Sequence, residues 1–123
     1  MEKQVLKGIM IWSVCCLLTA CFYDNEEELY PDNTCATTNV TYTSTVLPII
    51  RSNCYACHSS AARQGDVILE GYTALKGMVD NDRLDGAINH RTGYSPMPKD
   101  APKLSDCQLS QVAAWINAGA PNN

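Results

Sequence analysis

The 123-residue chain has little strand signal, no excess of basic residues and no long apolar run. Only residues 40–43 and 67–69 are β-like, and neither has a clear partner, which leaves helices as the better supported elements. The formal net charge of −4 argues against nucleic acid as a partner. The longest apolar stretch, Gly8–Leu18, is too short to span a bilayer comfortably.

That short stretch is instead typical of an export signal. Lys3 and Lys7 supply a positive region before it, and residues 18–21 read Leu-Thr-Ala-Cys. This tetrapeptide resembles the lipobox of bacterial lipoproteins, where cleavage before the cysteine leaves it N-terminal and acylated. We therefore expect Cys21 to carry a lipid that anchors the protein to a membrane without spanning it. An ordinary signal peptide, which would leave Cys21 as a free thiol, is the alternative.

The residues after Cys21 are acidic. They include a proline and show no period, which predicts a solvated tether over residues 21–39. Residues 34–123 hold seven basic and seven acidic side chains, so the negative charge belongs mainly to the tether. The predicted organisation is a lipoprotein-type signal peptide over 1–20, the tether over 21–39 and one domain over 40–123. The acidic cluster is similar to one that directs some Gram-negative lipoproteins to the cell surface, so we expect the periplasmic or the cell-surface face of the outer membrane.

The run Cys54-Tyr55-Ala56-Cys57-His58 is a C-x-x-C-H motif, the attachment signature of c-type haem. Two thiols three positions apart on one helical turn can each add across a haem vinyl group. The histidine that follows is then held beneath the iron as its proximal ligand. A zinc half-site is one alternative, but no second Cys/His pair follows at finger spacing. A redox disulfide is another, but it needs a thioredoxin-like βαβ setting that the sequence does not indicate.

Cysteine usage agrees with an oxidising compartment. Of the seven cysteines, two lie in the predicted signal peptide, one takes the lipid and two take the haem. Cys35 and Cys107 remain as an even pair, for which we expect an intramolecular disulfide. A buried free Cys107 with an exposed Cys35, reduced or paired between molecules, is the alternative.

The helical signals concentrate in four segments. Residues 44–53 lead directly into the Cys motif, and residues 73–79 and 82–89 favour two short helices. A Ser105–Gln108 capping box opens a C-terminal helix that Gly119 should end. Apolar side chains on one face of that helix, with an aromatic at its edge, comprise Leu109, Val112, Ala113, Ile116 and Trp115.

The second axial position of the iron has three candidate ligands. Met97 stands between Pro96 and Pro98, which stiffen its loop so that a thioether could cross a haem face at low entropic cost. Met78 lies inside a predicted helix and is expected in the core. We expect Met97 as distal ligand, with His90 or an open site as the alternatives.

The helix before C-x-x-C-H, the later Met-Pro loop and the aromatic C-terminal helix resemble the mono-haem class I cytochromes c. Residues 47–50 (LPII), Leu69 with Tyr72, residues 96–98 (PMP) and residues 115–123 (WINAGAPNN) are similar to small cytochrome c lipoproteins of Gram-negative bacteria. The resemblance covers residues 40–123. It implies an all-α fold in which the N- and C-terminal helices cross beside one covalent haem, with short helices between. Such a crossing would bring Cys35 and Cys107 together.

The expected function is that of a one-electron carrier rather than an enzyme. A His/Met pair leaves no open site on the iron, and a c-type peroxidase would usually need a second C-x-x-C-H, which is absent. A ligand sensor or enzyme accessory domain with an open or bis-His site is one alternative. A haem-free, disulfide-stapled binding lipoprotein is the other. Redox proteins that donate and accept the electron are the expected partners, and their identity is not encoded in any motif.

Overall fold

The computed structural model describes residues 35–123, and this part of the chain contains helices and no strand. The all-α fold class is therefore confirmed for these residues. The signal peptide, Cys21 and the tether up to residue 34 lie outside the described residues. The elements in chain order are a π-helical turn Tyr42–Val46, α1 Leu47–His58, a 3₁₀ turn Gln64–Asp66, α2 Tyr72–Asp80, α3 Arg83–Ile88 and α4 Asp106–Asn117.

The start of α1 differs from the expectation. The β-like reading of residues 40–43 is wrong, because the chain turns helical at Tyr42 and forms a π-helical turn that runs into α1. The Thr41 side chain caps this turn by accepting a hydrogen bond from the Ser44 backbone N–H at 3.2 Å. Tyr42 and Val46 bury their side chains in the core, so packing overrides the local β preference. Pro48 lies in the first turn of α1, where the missing N–H costs nothing.

The other predicted helices are present. α2 and α3 match the segments expected over 73–79 and 82–89 to within one residue at each end. The capping box of α4 is confirmed, with the Ser105 hydroxyl accepting from the Gln108 N–H at 3.2 Å. Gly119, at φ +91°, ends that helix as expected. No described helix, α1 and α4 at 12 residues included, is both long and apolar enough to cross a membrane.

Trp115 is the centre of the core rather than the edge of a helix face. Its side chain is fully buried, and its ring stacks on that of Tyr42 with 6.0 Å between centroids. The indole N–H donates to the Pro121 carbonyl at 2.9 Å, so the buried polar group is satisfied. The expectation of an edge position was wrong because the π-helical turn and the C-terminal segment, both outside α4, cover the indole.

The C-terminal segment joins α4 to the head of α1. The Tyr42 backbone N–H donates to the Asn123 side-chain oxygen at 2.8 Å, and the Thr43 N–H donates to the Asn123 backbone oxygen at 2.9 Å. The Tyr72 hydroxyl donates to the Ala120 carbonyl at 2.9 Å and so ties α2 to the same segment. Residues far apart in sequence are thus held together around Trp115.

Cys35 and Cys107 form a disulfide, with their Cα atoms 5.4 Å apart. The Gln111 side-chain N–H₂ donates to the Ala36 carbonyl at 3.2 Å, so the segment before Val40 lies along the first turns of α4. The bond closes a loop over a sequence separation of 72 residues. It links the end of the expected tether to the last helix of the domain.

Removing this disulfide should destabilise the domain. A loop of this length corresponds to about 4 kcal/mol of unfolding free energy in the chain-entropy model. We expect the double variant Cys35→Ser/Cys107→Ser to unfold at a much lower denaturant concentration than the oxidised protein, with cooperative unfolding retained. Equilibrium denaturation checks this, and the wild type treated with reductant should match the variant. An unchanged midpoint in both would contradict the prediction.

Candidate functional site

The C-x-x-C-H motif forms the last turn of α1. Cys54 and His58 are half-buried, whereas Cys57 is exposed. Both cysteines are free thiols, three residues apart and therefore on the same side of the helix. α1 ends at His58, and the chain leaves the helix in extended conformation at Ser59. The two thiols and the imidazole therefore all belong to the last turns of one helix.

His58 is oriented by the segment that returns along the end of α1. Its Nδ1 lies 3.4 Å from the Val67 carbonyl oxygen, and its own carbonyl accepts from the Leu69 N–H at 2.8 Å. A carbonyl can only accept, so Nδ1 carries the proton in this contact. Nε2 is then the nitrogen with a free lone pair, the tautomer that a metal-ligating histidine requires.

Two further bonds close the same loop. The Glu70 carboxylate accepts from the Ser60 N–H at 2.8 Å and from the Ser60 hydroxyl. The Gly71 N–H donates to the Tyr55 hydroxyl at 3.3 Å. Together with the His58 contacts, these bonds fasten residues 67–71 to the final turn of α1. We call this set of contacts the proximal bracket.

A cavity of about 820 Å³ opens beside the motif. This volume is within the roughly 300–1,000 Å³ of small-molecule and cofactor sites. The lining residues come from the end of α1, the 3₁₀ turn, residues 67–69, α2, α3 and the segment after α3. They are Asn53, Cys54, Cys57, His58, Gln64, Gly65, Val67, Leu69, Met78, Arg83, Leu84, Ala87, Ile88, Gly93, Tyr94, Ser95, Met97, Pro98, Lys99, Asp100 and Leu104.

Part of the cavity wall belongs to the hydrophobic core. Leu69, Leu84, Ile88 and Leu104 line it and are each 3–6% exposed. The charged side chains on its lining are two cations, Arg83 and Lys99, and one carboxylate, Asp100. An apolar cavity of this size suits a largely apolar small molecule or cofactor.

Of the expected distal ligands, Met97 lines the cavity and His90 does not. Met97 is half-buried, and its backbone N–H donates to the Ala87 carbonyl at 3.0 Å, which attaches its loop to α3. His90 is exposed, and its Nε2 lies 3.0 Å from the Met97 carbonyl oxygen. Met78 packs against the core as expected but also lines the cavity, which the sequence did not indicate.

The Cys54 thiol is not activated in this environment. Burial, together with the neighbouring Cys57, raises the pKa of Cys54 to about 11. A redox-active C-x-x-C motif requires a thiol whose pKa is lowered. Cys54 is not such a thiol. Among residues 35–123, no three His, Cys, Asp or Glu side chains converge as a metal-binding group.

The residues present fit a covalent haem. The two thiols, a histidine with its Nε2 lone pair free and a thioether all border one cavity whose walls are apolar. Sequence reasoning missed most of the wall, including Leu84, Leu104 and Tyr94. The apolar spacing of Leu84 and Ile88 on α3 was the one sequence signal for this wall. Leu104 and Tyr94 lie outside any periodic segment.

Comparisons of the chain with protein-family models, with curated proteins and with solved structures found no match.

The proximal bracket should weaken in acid. The Ser60 hydroxyl and then the Ser60 N–H lower the pKa of Glu70 from its ordinary value of 4.5. A carboxyl group whose pKa is lower in the folded state stabilises that state above the unfolded pKa, and this contribution is lost as pH falls through the folded pKa. We expect wild type to be more stable than Glu70→Gln near pH 7, and the difference to vanish well below pH 4.5.

Denaturant unfolding at a series of pH values measures this difference. The variant Ser60→Ala keeps the backbone N–H and loses only the hydroxyl, so it should show a smaller effect with the same direction. A wild-type advantage over Glu70→Gln that is constant from pH 7 to pH 3 would contradict the role of the carboxylate.

Proposed function

We propose that this protein is a mono-haem c-type cytochrome that carries single electrons. The observation that supports it most is the meeting of Cys54, Cys57, His58 and Met97 on one cavity whose wall belongs in part to the core. The two cysteines would hold the haem through thioether bonds. The alternative of a zinc or disulfide motif accounts for neither the cavity nor the methionine.

His58 and Met97 are the proposed axial ligands. The proximal bracket keeps the His58 proton on Nδ1, so Nε2 is free to ligate. The Met97 thioether belongs to a loop attached to α3 through the Met97–Ala87 backbone hydrogen bond. With these two residues as its ligands, a haem would supply one-electron redox chemistry and would leave no position for a substrate. A carrier, rather than a catalyst, follows from that coordination.

The bis-His alternative is less well supported. His90 would have to abandon its contact with the Met97 carbonyl and turn toward a cavity that it does not line. Met97 already borders the cavity without such a change. An open distal site, as in a ligand sensor, would require the Met97 loop to leave α3.

The proposed setting is an oxidising compartment at a membrane surface. The Cys35–Cys107 disulfide is compatible with export, as is the C-x-x-C-H motif. The signal peptide over 1–20 and lipidation at Cys21 remain proposals that rest on the sequence. A lipid on that residue would anchor the carrier at the periplasmic or cell-surface side of the outer membrane, within reach of redox proteins that donate and accept its electron.

Haem attachment is the first test. Expressed with a bacterial c-type maturation system, the protein should gain the mass of one haem that persists after denaturation. Cys54→Ser and Cys57→Ser should abolish or cripple this gain, since each removes one thioether. Intact mass spectrometry and peroxide staining of a denaturing gel check it.

Cys35→Ser/Cys107→Ser is the matched control, because it also removes two thiols but leaves the motif intact. It should retain the haem mass. A wild-type chain with no added mass would refute the proposed function and favour the haem-free binding lipoprotein.

The distal ligand is the second test. We expect Met97→Ala to lose the red sulfur-to-iron charge-transfer band of the ferric protein and to lower its reduction potential, because the thioether ligand raises the potential. Met78→Leu and His90→Ala are the controls, the first removing the other thioether on the cavity and the second the rival imidazole. Both should leave the band and the potential nearly unchanged.

Absorption spectra and redox titration give both readouts. Loss of the band in Met78→Leu, but not in Met97→Ala, would indicate that Met78 is the distal ligand. A wild-type high-spin ferric spectrum would instead favour the sensor or enzyme alternative.

A further inference from the structure

Asp82 occupies the N-cap position of α3 but does not cap it. Its backbone is left-handed at φ +62°, and its side chain makes no hydrogen bond to the first turn of the helix. The carboxylate instead accepts from the Arg91 guanidinium and, at 2.9 Å, from the Tyr94 hydroxyl. An aspartate at this position usually satisfies an N–H of its own helix. Here it is directed to the segment that leads to Met97.

The Tyr94 ring lies directly against the backbone of α3. A Cβ placed on Gly86 would come within 2.5 Å of ring carbons of Tyr94, so only glycine permits this approach. The Arg91 guanidinium carbon is 5.0 Å from the centroid of the same ring. Tyr94 therefore contacts α3 through its ring and Asp82 through its hydroxyl, and it also lines the cavity.

Backbone hydrogen bonds attach both ends of this segment to α3. The Arg91 N–H donates to the Gly86 carbonyl at 2.9 Å, and the Met97 N–H donates to the Ala87 carbonyl at 3.0 Å. A second ion pair joins Arg91 to Asp85 at 3.6 Å. Residues 91–97 thus form a loop closed on one face of α3, with the Asp82–Arg91–Tyr94 cluster at its start and the thioether at its end.

At neutral pH Asp82 and Arg91 are charged, and Tyr94 is a neutral hydroxyl donor because its hydrogen bond to Asp82 raises its pKa. The hydrogen bond from Arg91, and next that from Tyr94, lower the pKa of Asp82. These groups are exposed, and exposed ion pairs contribute little to global stability. The contacts on this short loop therefore serve to order the loop rather than to stabilise the whole domain.

We propose that a cluster of positioning residues holds the Met97 loop on α3 in the conformation that would ligate iron. The cluster consists of Asp82, Arg91 and Tyr94, and the Tyr94 ring packs against Gly86. This inference rests on the proposed haem function. A loop closed in advance lowers the entropic cost of bringing a weak thioether ligand to the metal. The cluster therefore sets how often Met97 leaves the iron. A competing ligand then binds with an affinity proportional to the fraction of open loop.

Two measurements on the ferrous or ferric haem protein report on the loop. Hydrogen exchange of the Met97 amide reports docking, because that N–H is protected only while it bonds to Ala87. Imidazole titration of the ferric protein reports ligation, because imidazole binds iron only after Met97 has left. Asp82→Asn should speed amide exchange and tighten imidazole binding, each by up to about fivefold, the upper end of what one exposed charge pair contributes.

Asp80→Asn is the matched control. Asp80 lies two residues earlier and pairs with Lys76 on α2, so its removal breaks a comparable exposed ion pair that does not touch the loop. It should change neither readout. Arg91→Gln should behave like Asp82→Asn, and Arg91→Lys should restore part of the wild-type behaviour because it keeps the charge.

Glycine variants give a second arm that leaves every charge in place. Gly86→Ala should displace the Tyr94 ring and tighten imidazole binding at least as much as Asp82→Asn. Gly77→Ala on α2, where an added Cβ meets no atom within 4 Å, should leave imidazole binding unchanged. Thermal unfolding of each variant separates a local loop effect from general destabilisation.

The outcomes are distinguishable. Absence of the charge-transfer band from the wild-type protein would contradict the proposed function itself. This inference alone would be overturned if the wild type shows the band and the variants Asp82→Asn and Gly86→Ala match it in Met97 amide exchange and in imidazole affinity. Faster amide exchange with unchanged imidazole affinity would also overturn it, since the cluster would then order the loop without positioning the ligand.

Discussion

The burial of Trp115 is the interaction on which the rest of the described structure depends. Its indole stacks on Tyr42 at the head of α1 and donates to the Pro121 carbonyl beyond the end of α4. These contacts, with the Asn123 hydrogen bonds to Tyr42, lock the first and last helical segments together. The far end of α1, where the C-x-x-C-H motif lies, is thereby given a fixed direction. A small domain buries little apolar surface, so one large buried side chain makes a large contribution to its core.

The two sides of the candidate site are held in different ways. Around His58, the proximal bracket uses bonds between residues 67–71 and the last turn of α1, a short loop that folds back on its own helix. Met97 belongs to a segment fastened to α3 by backbone hydrogen bonds and by the cluster around Asp82. The first arrangement is local and compact, whereas the second depends on a loop docking against a neighbouring helix. Under the proposed function, that contrast would suit a histidine that stays on the iron and a thioether that leaves it more easily.

An open cavity that borders the core is costly for a polypeptide unless something fills it, because its lining side chains lack packing contacts on that side. Here the cavity borders on Leu69, Leu84, Ile88 and Leu104, which are otherwise buried. A covalent haem would complete the packing of those side chains as well as supply the redox centre. Under the proposed function, stability and electron transfer therefore depend on the same group, and the disulfide at Cys35 and Cys107 adds a constraint on the unfolded chain that is independent of it.

Features that depend on near neighbours in the chain could be predicted from the sequence. The capping box at Ser105, the stop at Gly119 and the placement of Cys54, Cys57 and His58 on the last turns of one helix follow from helix geometry alone. The packing of the folded chain was needed to show that Tyr42 is helical and that Trp115 is central. It was also needed to show that Met78 borders the cavity and that His90 contacts the Met97 carbonyl instead. These outcomes depend on contacts between segments distant in sequence, and no local spacing or propensity carries that information.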